Sequence, residues 1–214
     1  MRKSLGYCAA GAVLAFASPA VSHPHIFAEA RVEIVATDDG MLKELRNVWR
    51  FDDIFSSSVL MDFDKNSDLK LAPEELTEIA NTIRDSLGDY SYFTFITKDG
   101  ASSEIARPEI FNVDFKDNQL LVFFVAKPKT QLKIGGRMTF GVYDPTLYTA
   151  IDFAKDEDMV VEGKPFEACT HKVVRPDPDQ VIAQNQSNLT EAFFNDPAGT
   201  DMGKLFATRL EVTC

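Results

Sequence analysis

The stretch that decides the fold is IFAEARVEIVATDDGMLKELRNVWRF, residues 26–51. From Ile26 to Thr37, small or apolar residues alternate with Glu and Arg, which is the two-residue period of a half-buried β-strand. Asp38-Asp39-Gly40 is a turn signal, and a second strand pattern returns from Leu42 to Phe51. The stretch therefore predicts a β-hairpin, with Trp49 near the end of its return strand.

Downstream of the hairpin, the pattern changes from strand to helix and back. Apolar residues recur every three or four positions over residues 52–63, and Pro73-Glu74-Glu75 opens a second helix that ends near Gly88. Further strands are predicted at Tyr92 to Thr97, Ile110 to Phe115, Gln119 to Ala126, Met138 to Tyr143, Ala150 to Phe153 and Cys169 to Val174, with helical stretches near Leu189 to Phe194 and Met202 to Ala207 and a last strand ending at Cys214. We expect an α+β fold: an antiparallel β scaffold with a helix-loop-helix insertion at about residues 52–88.

Residues 1–22 have the features of a cleaved signal peptide. Met1-Arg2-Lys3 is a positively charged start, and the apolar run from Tyr7 to Ala17 is about half of the roughly 20 residues that a membrane-spanning helix needs. Small residues permit cleavage after Ala20 or after Ser22, and the sequence leaves both open. We expect export to the periplasm, with no stable membrane insertion after cleavage.

The remaining residues 23–214 are expected to form one α+β periplasmic domain. The formal net charge is −11, and loss of Arg2 and Lys3 would make it −13. Such a charge disfavours nucleic acid as a partner; it either attracts cations or only keeps the protein soluble. Cys169 and Cys214 would be the two mature cysteines, and in an oxidising compartment they predict a disulfide worth about 4 kcal/mol.

The histidines are few and unevenly distributed. His23 and His25 flank Pro24 at the expected mature N-terminus, and the third histidine is His171. Neutral imidazole binds zinc, copper and nickel, and two residues of separation put both rings on one side of an extended chain. We expect a transition-metal site at His23 and His25, Zn²⁺ first with Ni²⁺ or Cu²⁺ as alternatives, and His171 as a candidate third ligand. Copper held by the terminal amine and ring of His23, with His25 or His171, is a less favoured alternative.

A second candidate metal site lies between the two predicted helices, where residues 64–75 align with the twelve-residue EF-hand calcium loop. The expected calcium ligands are Asp64, Asn66, Asp68, the Lys70 carbonyl and Glu75. Position 6 of such a loop is normally glycine because the turn needs a positive φ, and here it is Leu69. The sequence leaves Ca²⁺ occupancy open.

No pattern of residues indicates catalysis. Ser56-Ser57-Ser58 lacks a nucleophile motif, and the sequence gives no reason to pair His171 with any particular aspartate as a hydrolase dyad. We therefore expect a binding protein and not an enzyme.

Several motifs together resemble a bacterial family of uncharacterised exported proteins described as periplasmic components of a transport system. They are His23-Pro24-His25-Ile26-Phe27, Trp49-Arg50-Phe51-Asp52, the loop from Asp64 to Glu75, Tyr92-Phe93-Thr94-Phe95 and Tyr143-Asp144-Pro145-Thr146. The resemblance implies a metal-binding accessory of a nickel-, cobalt- or zinc-type inner-membrane permease, with His23 and His25 as its start motif. The alternative from another class is a structural or interaction module stabilised by the calcium-type loop.

Overall fold

The computed structural model describes residues 24–185 and 203–214. The strands are β1 (Ile26–Ala36), β2 (Leu42–Phe51), β3 (Thr94–Lys98), β4 (Ala101–Ser103), β5 (Phe111–Lys116), β6 (Gln119–Ala126), β7 (Arg137–Val142), β8 (Thr149–Asp152), β9 (Met159–Glu162), β10 (Thr170–Val174) and β11 (Arg209–Thr213). The helices are α1 (Asp53–Phe63), α2 (Pro73–Ser86), α3 (Pro178–Gln184) and α4 (Gly203–Phe206), with 3-10 segments at Gly88–Phe93, Asp156–Asp158 and Lys164–Ala168. The predicted α+β class is confirmed. The predicted signal peptide, His23 and the predicted helix from Leu189 to Phe194 lie outside the described residues.

The strands form two sheets. The first has the order β5-β6-β2-β1-β8, and β9 also pairs with β1. The second has the order β10-β11-β7-β3-β4 and is antiparallel throughout. No helix in the described ranges is long and apolar enough to cross a membrane.

The hairpin of β1 and β2 is confirmed. Ala30 pairs with Trp49 and Ile34 with Leu45 across the two antiparallel strands. These four side chains are buried, because alternate residues of each strand face the core. Gly40 closes the turn with φ 86°, a conformation that glycine adopts without steric cost.

Two strands of the first sheet differ from the predicted run of antiparallel hairpins. β8 and β9 both pair with β1 in parallel, β8 along Ile26–Glu29 and β9 along Val32–Val35. Parallel neighbours require a long crossover connection, so local turn signals cannot predict them. The predicted strand start at Tyr92 is also wrong, because Tyr92 and Phe93 have φ of 53° and 52° and the strand begins at Thr94.

The helix pair lies between β2 and β3 in the chain, as predicted. Asp52 caps α1 by accepting hydrogen bonds from the amides of Ile54 and Phe55, each at 2.9 Å. The hydroxyl oxygen of the fully buried Ser56 accepts a 2.9 Å hydrogen bond from the amide of Leu120 in β6. Helix α1 is thereby attached to the first sheet, while α2 packs against β5.

The core contains residues of both sheets and both long helices. Trp49 of β2 lies at its centre, in edge contact with Phe124 of β6 at 4.8 Å between ring centroids. It stacks on Phe93, which directly precedes β3 of the second sheet, at 6.1 Å. Aromatic packing on one indole therefore links the two sheets.

Candidate functional site

His25 directly precedes β1 and is held there by its backbone. Its amide donates a 2.8 Å hydrogen bond to the carbonyl of Tyr148, just before β8. Its exposed ring lies 5.0 Å from the Tyr148 ring, centroid to centroid. The parallel pairing of β1 with β8 brings these two distant parts of the chain together.

The segment that carries Tyr148 is organised by a buried carboxylate. Asp144 is 3% exposed. It accepts hydrogen bonds from the amide and hydroxyl of Thr146 at 2.8 and 2.7 Å, and from the amide of Thr149 at 2.9 Å. Gly203 of α4 packs on the same turn so closely that a Cβ would lie 2.3 Å from the Asp144 carbonyl oxygen. The motif Tyr143-Asp144-Pro145-Thr146 therefore builds a rigid turn in front of β8.

A cavity of about 490 Å³ adjoins this turn. Its walls combine residues of β1, β2, both long helices, the 3-10 segment and the Asp144 turn: Ile26, Trp49, Phe51, Phe55, Ile83, Ser86, Leu87, Tyr90, Phe93, Asp144, Thr146, Tyr148 and Thr149. Trp49 is 1% exposed, and its indole Nε1 has no hydrogen-bond partner in the described part of the chain. Because Tyr148 belongs to the walls and contacts the His25 ring, His25 lies at the edge of this cavity.

The predicted calcium loop, residues 64–75, comprises the connection between the two long helices and the first residues of α2. Hydrogen bonds within the connection hold its shape. Asp64 accepts from the amides of Asp68 at 3.2 Å and Leu69 at 2.7 Å. The Asn66 side chain accepts from the Asp68 amide at 3.0 Å, and the Asp68 carboxylate accepts from the Lys70 amide at 2.9 Å. Leu69 adopts φ 61°, so this residue makes the turn that glycine usually makes.

Glu75 closes the loop from α2. It is 6% exposed, and its two carboxylate oxygens accept from the amides of Lys65 at 2.9 Å and Ala72 at 2.8 Å. A bidentate calcium ligand at this position would have to exchange these hydrogen bonds for the ion. Calcium binding by the loop stays a prediction.

The described residues contain no group of three or more His, Cys, Asp or Glu side chains arranged to hold a metal ion. His171 lies exposed on β10, the outer strand of the second sheet, opposite Val212 of β11. His25 belongs to the start of the first sheet, and His23 precedes the described residues. The transition-metal site therefore stays a prediction.

The predicted disulfide is confirmed. Cys169 and Cys214 are bonded, with their Cα atoms 4.2 Å apart. The bridge joins the start of β10 to the residue after β11, which are already antiparallel neighbours. It fastens the last residue of the chain to the second sheet.

Asp52 has two structural roles, and the sequence did not reveal the second. Besides capping α1, its carboxylate accepts a 2.9 Å hydrogen bond from the amide of Phe27 in β1. Partial burial opposes its ionisation, but the backbone hydrogen bonds from Phe55, Phe27 and Ile54 outweigh that effect and lower the pKa of Asp52. An Asp directly before an apolar helix pattern signals a cap, whereas the bond to Phe27 is visible only in the fold.

The comparison with protein families gives one result. The family model described as Protein of unknown function (DUF1007) matches residues 8–214, nearly the whole chain. The chain belongs to this family. The DUF1007 match agrees with the expected membership of an uncharacterised family, while the link to transport and permeases belongs to the proposals below. No curated protein matches the chain.

The turn at Asp144-Pro145 has a local signal in the sequence, but the burial of Asp144 and the cavity of this DUF1007 protein were not predicted. Asp-Pro-Thr is a turn signal, and an aspartate in such a turn commonly binds nearby backbone amides. The cavity has no local signal, because its walls come from segments between Ile26 and Thr149 that meet only in the folded chain.

Proposed function

We propose that this protein is an exported, non-catalytic accessory that binds a divalent transition metal at its histidine motif and passes it to an inner-membrane permease. Zinc is the first candidate, and nickel and copper are the alternatives. The observation that carries the proposal is the anchoring of His25. Its amide is bonded to the Tyr148 carbonyl while its ring is exposed. A ligand held by its backbone loses less conformational freedom when it binds a metal.

The coordination chemistry fits a carrier. Zinc in proteins takes four ligands, commonly imidazole nitrogens among them. His25, together with His23 two residues before it, would supply two, and His171 or a residue of the permease would supply a third. Two histidines alone make a weak site, and a weak site can release its metal to a partner with more ligands.

Export and delivery are supported by separate observations. The disulfide of Cys169 and Cys214 is stable in an oxidising compartment such as the periplasm. The net charge of −11 raises the local concentration of cations near the surface. The permease as partner rests on the family resemblance alone.

Calorimetric titration of the mature protein with Zn²⁺, Ni²⁺ and Cu²⁺ tests the proposal, with the processed N-terminus verified by mass spectrometry. We expect transition-metal binding that is lost in the double variant His23→Ala and His25→Ala. The matched control His171→Ala should bind with unchanged or moderately reduced affinity.

Two outcomes would contradict the metal-carrier proposal. Absence of transition-metal binding by the wild-type protein would remove its basis. Binding that persists in the His23→Ala, His25→Ala protein would move the metal to other residues.

A second candidate function is a non-catalytic interaction module stabilised by calcium. It is favoured by the loop at residues 64–75, where Leu69 makes the positive-φ turn that such loops require. Millimolar Ca²⁺ should then raise the melting temperature, and Asp64→Ala should abolish that rise. A melting temperature that does not respond to Ca²⁺ would exclude this candidate.

A further inference from the structure

The 490 Å³ cavity beside the Asp144 turn has no part in the proposed metal site. Its volume lies within the roughly 300–1,000 Å³ of small-molecule pockets, which are mostly apolar with a few polar groups. Its polar wall residues are few, chiefly Asp144, the two threonines of the same turn and Ser86. The cavity therefore has the size and wall composition of a ligand site.

Aromatic rings dominate the walls. Trp49, Tyr90 and Phe93 line the cavity together with the rings of Phe51, Phe55 and Tyr148. The Trp49 and Tyr90 rings lie 6.1 and 6.2 Å from the Phe93 ring, respectively. The faces of such rings carry a negative electrostatic potential, which attracts organic cations.

The charged group in the walls is also negative, like the potential of the ring faces. Asp144 contributes a carboxylate that is 3% exposed, and the hydrogen bonds it accepts come from the neutral groups of Thr146 and Thr149. None of the described wall residues is a lysine or an arginine. A buried carboxylate without a cation in the same walls favours a positively charged ligand and disfavours an anion.

A third observation concerns Trp49. Its buried indole Nε1 has no hydrogen-bond partner among the described residues, although buried indole donors usually find one. Because this nitrogen is inaccessible to solvent, a ligand in the cavity would contact Trp49 through its ring. Trp49 is also the only tryptophan of the chain, so its fluorescence reports directly on the cavity.

We propose that this cavity binds a small organic cation, whose charged group lies among the aromatic rings near Asp144. The ligand class is an amine or quaternary ammonium compound with an apolar body. This proposal does not require that metal binds at His23 and His25.

The test uses Trp49 fluorescence with three probes that differ mainly in charge, in buffer containing EDTA. Phenyltrimethylammonium is the cation, tert-butylbenzene is its neutral isostere and benzenesulfonate is an anion of similar size. We expect a saturable fluorescence change with phenyltrimethylammonium, with a Kd of about 1 mM or below, and none with benzenesulfonate. Because EDTA removes free metal ions, the result of this titration does not depend on whether the histidines bind metal.

Two cavity variants and one control complete the design. Tyr90→Leu keeps apolar bulk but removes the aromatic face. It should weaken the binding of phenyltrimethylammonium about two- to fivefold and change the affinity for tert-butylbenzene by less than about twofold. Asp144→Asn should weaken the binding of the cation by about tenfold and leave the affinity for tert-butylbenzene unchanged. Phe123→Leu, on β6 and outside the described cavity walls, should leave both unchanged.

Circular dichroism verifies that each variant is folded. If Asp144→Asn does not fold, the Tyr90→Leu result decides the test. The proposal is overturned if phenyltrimethylammonium gives no saturable change, or if benzenesulfonate binds as tightly. It is also overturned if Tyr90→Leu weakens the cation and tert-butylbenzene equally, because the cavity would then bind by apolar contact alone.

Discussion

Replacing Asp52 should destabilise the protein more than an ordinary helix cap, because its carboxylate joins α1 to β1. The carboxylate accepts hydrogen bonds from two amides of α1 and from the Phe27 amide of β1, each at 2.9 Å. Loss of an N-cap side chain costs about 1 kcal/mol, and loss of a hydrogen bond to a charged group costs about 1.5 kcal/mol or more. We therefore expect Asp52→Ala to lower the free energy of unfolding by about 2–3 kcal/mol.

The matched comparisons are Asp52→Asn and Asp53→Ala. Asparagine keeps one acceptor for the cap but loses the charge and turns its NH2 donor toward the Phe27 N–H donor, so it should cost about half as much as alanine. Asp53 is exposed in the first turn of α1, with a side-chain hydrogen bond to Gln119, and its replacement should cost about 0.5 kcal/mol or less. Urea unfolding followed by Trp49 fluorescence measures all three variants, because this buried residue is the only tryptophan.

The pH dependence of the free energy of unfolding gives a second measurement of the hydrogen bonds to the Asp52 carboxylate. The folded-state pKa of Asp52 is lowered. The stabilisation by its carboxylate is therefore present in full above the unfolded pKa of about 3.9. It is lost as the pH falls through the lowered folded pKa. The stability difference between wild type and Asp52→Asn should therefore shrink below about pH 4. The reasoning is refuted if Asp52→Ala costs no more than Asp53→Ala, or if the difference from Asp52→Asn stays constant down to about pH 2.

Three further predictions concern other parts of the fold. Replacing both Cys169 and Cys214 by serine should cost about 4 kcal/mol in urea unfolding, and a cost below about 1 kcal/mol would contradict the chain-entropy argument. Leu69→Gly should stabilise the protein by about 0.5–1 kcal/mol, since Leu69 has φ 61° and is exposed; a lower melting temperature would contradict this. Ser56→Ala should cost about 1–3 kcal/mol because it leaves the buried Leu120 amide without its acceptor, and Ser57→Ala, at an exposed position, should change the melting temperature little.

Much of the candidate site could not be predicted, and the reason is visible in its residues. His23 and His25 were identified because a rare residue type is concentrated in one short segment. The pairing of His25 with Tyr148 joins residues that are far apart in sequence, and it depends on the parallel alignment of β1 with β8. Asp144 reads locally as a turn residue, and only the contacts around it make it a buried charge.

The sequence by itself determined the elements whose signals are local. Alternation with a Gly40 turn specified the hairpin of β1 and β2, a three- to four-residue apolar period specified the helix pair, and two cysteines in the expected mature chain specified one disulfide. The tertiary structure alone decided that β8 and β9 lie parallel to β1, and that Trp49 and Asp144 line one cavity. The physical reason is range: turn, cap and periodicity act over a few residues, whereas parallel pairing and cavity walls depend on packing between distant segments.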